Sequence, residues 1–236
     1  YVPRPLALSG VTDCYQPIER TLEITRGCVR ILAASRHPLG IVTKNHLVTR
    51  DIDLLRTLVP HRAVRVAVSI TTLDPALARS MEPRTSSPQM RLTAVRALHD
   101  AGIPTSVLIA PVIPGLTDKE IPAILAAARE AGAADAGWTL LRLPHGVKAI
   151  FFDWLERHAP DRRPKVEALL RGLRDGRLND ARTGHRMRGT GAYADHLAEL
   201  MHKTKQRLGF RPLSSLSSGA FRPPDAPLPL FEWRES

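Results

Sequence analysis

The chain has almost no cysteine: Cys14 and Cys28 are the only two in 236 residues. That excludes a disulfide framework, and neither residue sits in a paired metal-ligand spacing. No apolar run approaches the roughly 20 residues that a membrane span needs, and no basic stretch with an apolar core and a small-residue cleavage site opens the sequence. A cytoplasmic protein without a membrane partner is therefore expected. An initiator methionine is also lacking. The chain begins at Tyr1 and enters a strand through Pro3 and Pro5, so a preceding portion of the protein is expected to be missing from it. Acidic residues are outnumbered, with 23 Asp and Glu against 34 Lys and Arg and a net charge of +11. Such an excess favours polyanions at long range, but it is equally the surface of an arginine-rich composition and fixes no substrate.

What is present is a hydrophobic content of 43%, enough for one sizeable α/β domain. Short β-like runs at 5–8, 40–43, 64–69, 105–110 and 138–141 alternate with helical patterns, the signature of βα units and a parallel sheet. Asp51 or Asp53 is placed to support one helix start, Asp74-Pro75 another and Ser87-Pro88 a third, while Thr117-Asp-Lys-Glu120 has the form of a capping box. Pro60, Pro83, Gly102 and Gly132 stop helices. Beyond Pro144 the pattern is wholly helical to residue 208, and the Ser- and Pro-rich stretch that follows is expected to be an extended or disordered tail. The resulting division is a barrel-like portion over 4–145, helices over 146–209 and a tail over 210–236.

In a parallel α/β barrel, side chains at the C-terminal strand ends converge on one mouth. The tips here carry Thr12 and Asp13, Lys44, Ser69, the 111–115 loop, and Arg142 with His145. Thr12 and Asp13 either meet a polar ligand or form a turn after the strand. Lys44 suits a Schiff base, a ligand carboxylate or phosphate, or a solvated loop position. Ser69 ends a strand apolar on both faces, so its hydroxyl needs a partner, either a backbone carbonyl or a ligand. The loop Pro111-Val-Ile-Pro-Gly115 is rigid, with a glycine that permits close backbone approach. His145 is an acid–base candidate or merely a surface group before a helix. Arg182, Arg186 and Arg188, spaced by glycines, suit phosphate or a nucleic-acid backbone, or form a plain basic loop; without interleaved aromatics they read no bases.

Several segments, in order, resemble a known family. They are Gly-Val-Thr-Asp-Cys-Tyr-Gln-Pro-Ile-Glu (10–19), Ile-Val-Thr-Lys (41–44), Val-Ser-Ile-Thr-Thr-Leu-Asp (68–74), Glu-Pro-Arg (82–84), Ala-Pro-Val-Ile-Pro-Gly-Leu-Thr-Asp (110–118) and Leu-Leu-Arg-Leu-Pro (140–144). Together they resemble the radical S-adenosylmethionine superfamily, in the branch related to spore photoproduct lyase. The resemblance implies an α/β fold, a partial (β/α)6 TIM-like barrel lacking its first strand, with C-terminal helices. It implies S-adenosylmethionine as cofactor and, in the full-length protein, a [4Fe-4S] cluster on a Cys-x-x-x-Cys-x-x-Cys loop, cleaving the cofactor reductively to a 5′-deoxyadenosyl radical. This chain has no such motif, and Cys14 and Cys28 are not cluster ligands, so the chain alone is expected to be inactive.

The same resemblance maps Thr12 and Asp13 to the methionyl part of the cofactor, Lys44 and Ser69 to further cofactor contacts, and Arg84 to a carboxylate. It places Val112 and Ile113 near the adenine, with residues 141–143, including Arg142, on its other side. A reductant such as flavodoxin or ferredoxin is the implied partner. Nucleic acid, a small or peptide substrate, and a non-catalytic barrel that binds a nucleotide-like ligand all stay open.

Overall fold

The computed structural model describes residues 1–10, 12–180, 182 and 185–223. Five strands, β1 (Leu6–Leu8), β2 (Leu39–Thr43), β3 (Val64–Ser69), β4 (Thr105–Val112) and β5 (Asp135–Leu140), form one sheet in the order β1-β2-β3-β4-β5. Every neighbouring pair is parallel, with Leu6 beside Leu39, Leu39 beside Val64 and Val66 beside Thr105. Consecutive strands lying side by side, each joined by helical crossover, is the winding of a (β/α) barrel left open along one edge.

The helices are α1 (Glu19–Leu22), α2 (Ile24–Ala34), α3 (Ile52–Leu58), α4 (Pro75–Met81), α5 (Pro88–Asp100), α6 (Ile121–Glu130), α7 (Val147–His158), α8 (Arg163–Gly172), α9 (His185–Arg188) and α10 (Ala192–Arg207). The helix expected through residues 22–32 is broken into α1 and α2 by Glu23, which takes a left-handed conformation with φ 49°. The buried Glu19 carboxylate accepts from the Thr25 and Arg26 amides, so it satisfies the orphan donors at the start of α2. Asp74 and Ser87 cap α4 and α5 as their positions predict.

Two expected caps do not form. Asp51 makes no cap bond to α3, because its buried carboxylate is taken by Arg26, Arg50 and the Tyr15 hydroxyl. The Thr117 hydroxyl accepts from the Ile113 amide, and Glu120 turns away to the Thr72 hydroxyl and the Leu73 amide, so the capping box is replaced by ties to the β3 and β4 tips.

Val29, Leu39, Val66, Val68, Leu98, Ile109, Ile124 and Leu125 lie in the main core between sheet and helices. Helix α10 packs on α6 and contributes Leu197 and Met201 to that core. A second cluster joins Ile113, Leu141 and Leu143 at the strand tips to Leu155, Val166 and Leu170 of α7 and α8. The two sheet edges differ. Beside β5, Lys205 donates to the Ala136 carbonyl and pairs with Asp135, and Arg188 lies 4.6 Å from the Trp138 ring centroid. On β1 the outer edge has no strand partner among the described residues, and Leu6 is exposed.

Over 210–223 the expected tail is an extended strap across the N-terminal ends of the strands. Phe210 is buried, and the Arg211, Ser217 and Arg222 amides donate to the Ala134, Arg62 and Ser35 carbonyls. Tertiary hydrogen bonds thus order a segment whose composition alone suggested none; residues 224–236 lie outside the described residues.

Gly132 shows how tightly α5 and α6 end together. Its φ is +99°, and a Cβ built there would lie 2.3 Å from His99 Cγ. Gly132→Ala is expected to lower stability by about 1–3 kcal/mol in chemical denaturation. In a His99→Ala background the clash disappears, and a cost of roughly 1 kcal/mol from the left-handed backbone should persist.

Candidate functional site

The strand tips build a mouth whose polar groups are mostly tied to one another. Asp13, after β1, accepts from the Tyr15 amide at 2.9 Å, the Thr43 hydroxyl at 2.8 Å and the Lys44 amide at 2.7 Å. Both carboxylate oxygens are therefore engaged in pinning the β1 turn to the β2 tip. Thr12 is exposed beside it. Asn45 extends the lattice by donating to the Tyr15 carbonyl and accepting from the Leu47 amide.

Lys44 points to Glu82, which follows α4, and the two form an ion pair. The other Glu82 oxygen accepts from Arg91 of α5 at 2.6 Å, and the Thr71 hydroxyl donates to Glu82 at 3.1 Å. Arg91 is 1% exposed and also donates to the Ser69 and Ser86 carbonyls and the Thr85 hydroxyl. Burial alone would raise the Glu82 carboxyl, but Lys44 and Arg91 outweigh it and hold it below the ordinary value of 4.5. The node is an anion between two cations, so it stays ionised at neutral pH. Sequence reading missed both Glu82 and Arg91. Glu82 had served only as the residue before a helix-breaking proline, and Arg91 as a polar position on α5.

Ser69 is buried, and its hydroxyl donates to the Ala110 carbonyl at 3.0 Å, the backbone option of the two its position allowed. The Thr71 hydroxyl reaches the same carbonyl at 3.3 Å. Val112 is fully buried in the main core, whereas Ile113 lines the mouth. Gly115, at φ +78°, lets α8 approach: an added Cβ would lie 3.2 Å from Leu169 and 3.3 Å from Lys165. Its conformational freedom thus serves helix packing. Arg142 is half-buried, and its Nε has no hydrogen-bond partner among the described residues. His145 is exposed in a turn with φ 45°.

Helix α7 folds back over these tips, with the Trp154 indole donating to the Ser80 carbonyl at the end of α4. Beneath it lies a pocket of about 250 Å³, with Thr71 and Glu82 at its polar end and Ile113, Leu141, Phe151 and Trp154 among its apolar walls. The apolar and aromatic lining suits a flat, partly apolar ligand with a polar end. Arg84 faces a different cleft, shared with Arg20 and His46.

The basic segment is separate from the mouth. Arg182 is held by Asp180 at 2.6 Å and Asp175 at 3.0 Å, Arg188 stacks over Trp138, and Arg186 is half-buried. Gly184, which the expected backbone nest needs, lies outside the described residues.

The chain's own donors do not fit an iron–sulfur cluster. Among the described residues no three His, Cys, Asp or Glu side chains come together as metal ligands. Burial, partly offset by the Ser9 hydroxyl, pushes the Cys14 thiol up to about 11 from 9.0, where a thiolate ligand requires the reverse. Alkylation of Cys14 by iodoacetamide at pH 8, followed by mass spectrometry, should accordingly run about a hundredfold slower than that of an unperturbed thiol, from the thiolate fraction alone. Among the described residues no helix is long and apolar enough to cross a membrane.

The sequence matches the Radical SAM superfamily over residues 6–128, more than half of the chain. An uncharacterized protein of Mycobacterium tuberculosis is 36% identical over 168 residues, covering 70% of this chain and 49% of the relative. One of Methanocaldococcus jannaschii is 32% identical over 120 residues, covering 51% of this chain and 45% of its own length. The chain thus spans about half the length of the curated relatives it matches. Among solved structures, a spore photoproduct lyase variant with dinucleoside spore photoproduct aligns with a TM-score of 0.60 at 19% identity, covering 88% of this chain and 60% of that one. Another variant, with bound AdoMet and the dinucleoside, aligns at 0.56 and 19%, covering 87% and 58%. These structures share the fold: a parallel sheet wound as a partial barrel with its polar groups at the strand tips. With the match over residues 6–128, the chain belongs to the Radical SAM superfamily.

Proposed function

We propose that the whole protein is a radical S-adenosylmethionine enzyme in which this chain supplies the mouth that holds the cofactor. The observation that carries the reading is the pocket under α7, where a charged, hydrogen-bonded polar end built from β2, β3 and α4–α5 meets an apolar wall from β4, β5 and α7. The adenosyl group would lie against Ile113 and Leu141 between Phe151 and Trp154. Its methionyl part would reach toward Lys44 and the turn at Thr12 and Asp13. Ser69, through the Ala110 carbonyl, and Arg142 shape the surrounding backbone, and Val112 supports Ile113 from within the core.

S-adenosylmethionine cleaved at a reduced [4Fe-4S] cluster supplies a 5′-deoxyadenosyl radical, and the cluster's ligands must come from outside this chain. A flavodoxin- or ferredoxin-type protein is the proposed reductant. Nucleic acid is the proposed substrate class, on the strength of net charge +11 and of neighbours solved with a dinucleoside photoproduct.

Titration of the 236-residue chain with S-adenosylmethionine, followed by tryptophan fluorescence, tests the cofactor site. A saturable change is expected that disappears in Trp154→Phe, and Lys44→Ala should weaken binding about tenfold, or roughly 1.4 kcal/mol. No saturable binding at millimolar cofactor would refute the assignment.

A further inference from the structure

A second recess of about 580 Å³ opens beside the β2 tip, lined by Arg20, His46 and Arg84 with Asn45, Ser86 and Met90. Its lining contains no carboxylate. Arg20 and Arg84 are both exposed, and among the described residues neither has an ion-pair partner. They stand out in this chain, because Arg26, Arg50, Arg91, Arg163 and Arg182 each pair with a carboxylate. The two come from elements far apart in sequence: Arg20 belongs to α1, and Arg84 to the loop between α4 and α5. The fold has therefore brought like charges to one concave surface without a protein counter-ion.

We propose that this recess is a phosphoryl-anion site, filled either by the phosphodiester backbone of a nucleic acid or by the phosphate of a small metabolite. Two guanidinium forks present planar pairs of donors that match phosphate oxygens, and His46 adds a further donor when protonated. A concave site of this size favours compact tetrahedral anions over the flat acidic face of a protein partner. The site is distinct from the Arg182–Arg188 segment, where Arg182 is neutralised and Arg188 is stacked on an aromatic ring. It is also separate from the pocket under α7, so the inference does not rest on the cofactor reading.

The test uses the 236-residue chain with two probes: a fluorescein-labelled twelve-residue oligothymidylate followed by anisotropy, and inorganic pyrophosphate followed by calorimetry. Arg20→Gln/Arg84→Gln is compared with Arg163→Gln/Arg171→Gln, which removes the same charge from α8, and thermal midpoints confirm that both variants are folded. The expected result is binding of at least one probe, weakened about tenfold or more by the first pair and less than about twofold by the second. For the oligonucleotide, the slope of log affinity against log salt should fall by about two. Oligonucleotide binding that pyrophosphate does not displace beyond an ionic-strength control identifies a phosphodiester chain. Displacement with direct pyrophosphate binding identifies a small phosphorylated ligand. Failure of both probes to bind, or an equal loss in the α8 control, would overturn the proposal.

Discussion

Glu82→Gln should cost about 3 kcal/mol of unfolding free energy. The carboxylate is the shared counter-ion of Lys44 and of Arg91, whose side chain is 1% exposed, and its removal leaves a buried guanidinium without its charge partner. For a chain of this size the loss corresponds to a fall in Tm of roughly 6–12 °C. The Arg91 bonds to backbone carbonyls survive, which keeps the expected loss at the lower end of what breaking a buried pair produces.

The pH dependence provides an internal check. The folded-state pKa of Glu82 is lowered, so the unfolded chain binds more protons in the window just below 4.5, and stability rises with pH there. The contribution is complete above the unfolded value and is lost as pH falls through the folded one. The stability gap between wild type and Glu82→Gln should therefore be constant from pH 6 to 8 and shrink steadily below about 4.5. A gap that is flat in pH would show that Glu82 acts through shape alone.

Asp51→Ala is expected to be at least as damaging, at about 3–5 kcal/mol by chemical denaturation. Asp51 has no exposed side-chain surface and accepts from Arg26 at 2.9 Å, Arg50 at 2.8 Å and the Tyr15 hydroxyl at 3.1 Å. Arg50 reaches on to Glu19 at 2.8 Å, and Arg26 to Asp53 at 2.7 Å. The network fastens the turn after β1 to the segment after β2, so its loss should also loosen the Thr12–Asp13 side of the mouth. Tyr15→Phe removes one neutral donor while both arginines stay paired, and a loss of only about 1 kcal/mol is expected. Equal losses from the two variants would contradict the assignment of the network to charge pairing.

The strands were legible because each is a short run apolar on both faces, as a parallel sheet covered by helices requires. Their order was legible too, since βα alternation winds neighbouring strands in sequence order. The break at Glu23 was not, because a non-glycine residue in a left-handed conformation leaves no mark in composition. The tips at Asp13, Lys44 and Ser69 were found from strand-end position. What they touch was not, since Lys44 meets a residue 38 positions away and Ser69 a carbonyl 41 positions away.

The same limit explains α7. Its Ile150, Phe151 and Trp154 gave a helical period, but nothing local says that the helix folds back over β3 and β4. Arg84 carries a related lesson. Its neighbours in sequence suggested a cofactor carboxylate, while its neighbours in space are Arg20 and His46. Sequence reading located chemistry at the strand ends but could not pair groups that long-range packing brings together.

The central claim is that this chain is the cofactor-holding part of a radical S-adenosylmethionine enzyme. The most direct test is anaerobic iron–sulfide reconstitution of the protein with the coding sequence upstream of Tyr1 included, followed by dithionite and S-adenosylmethionine and detection of 5′-deoxyadenosine. The account predicts 5′-deoxyadenosine from the extended protein, none from residues 1–236 alone, and a strongly reduced yield from the extended Lys44→Ala protein. An extended protein that assembles no cluster and cleaves no cofactor would contradict it.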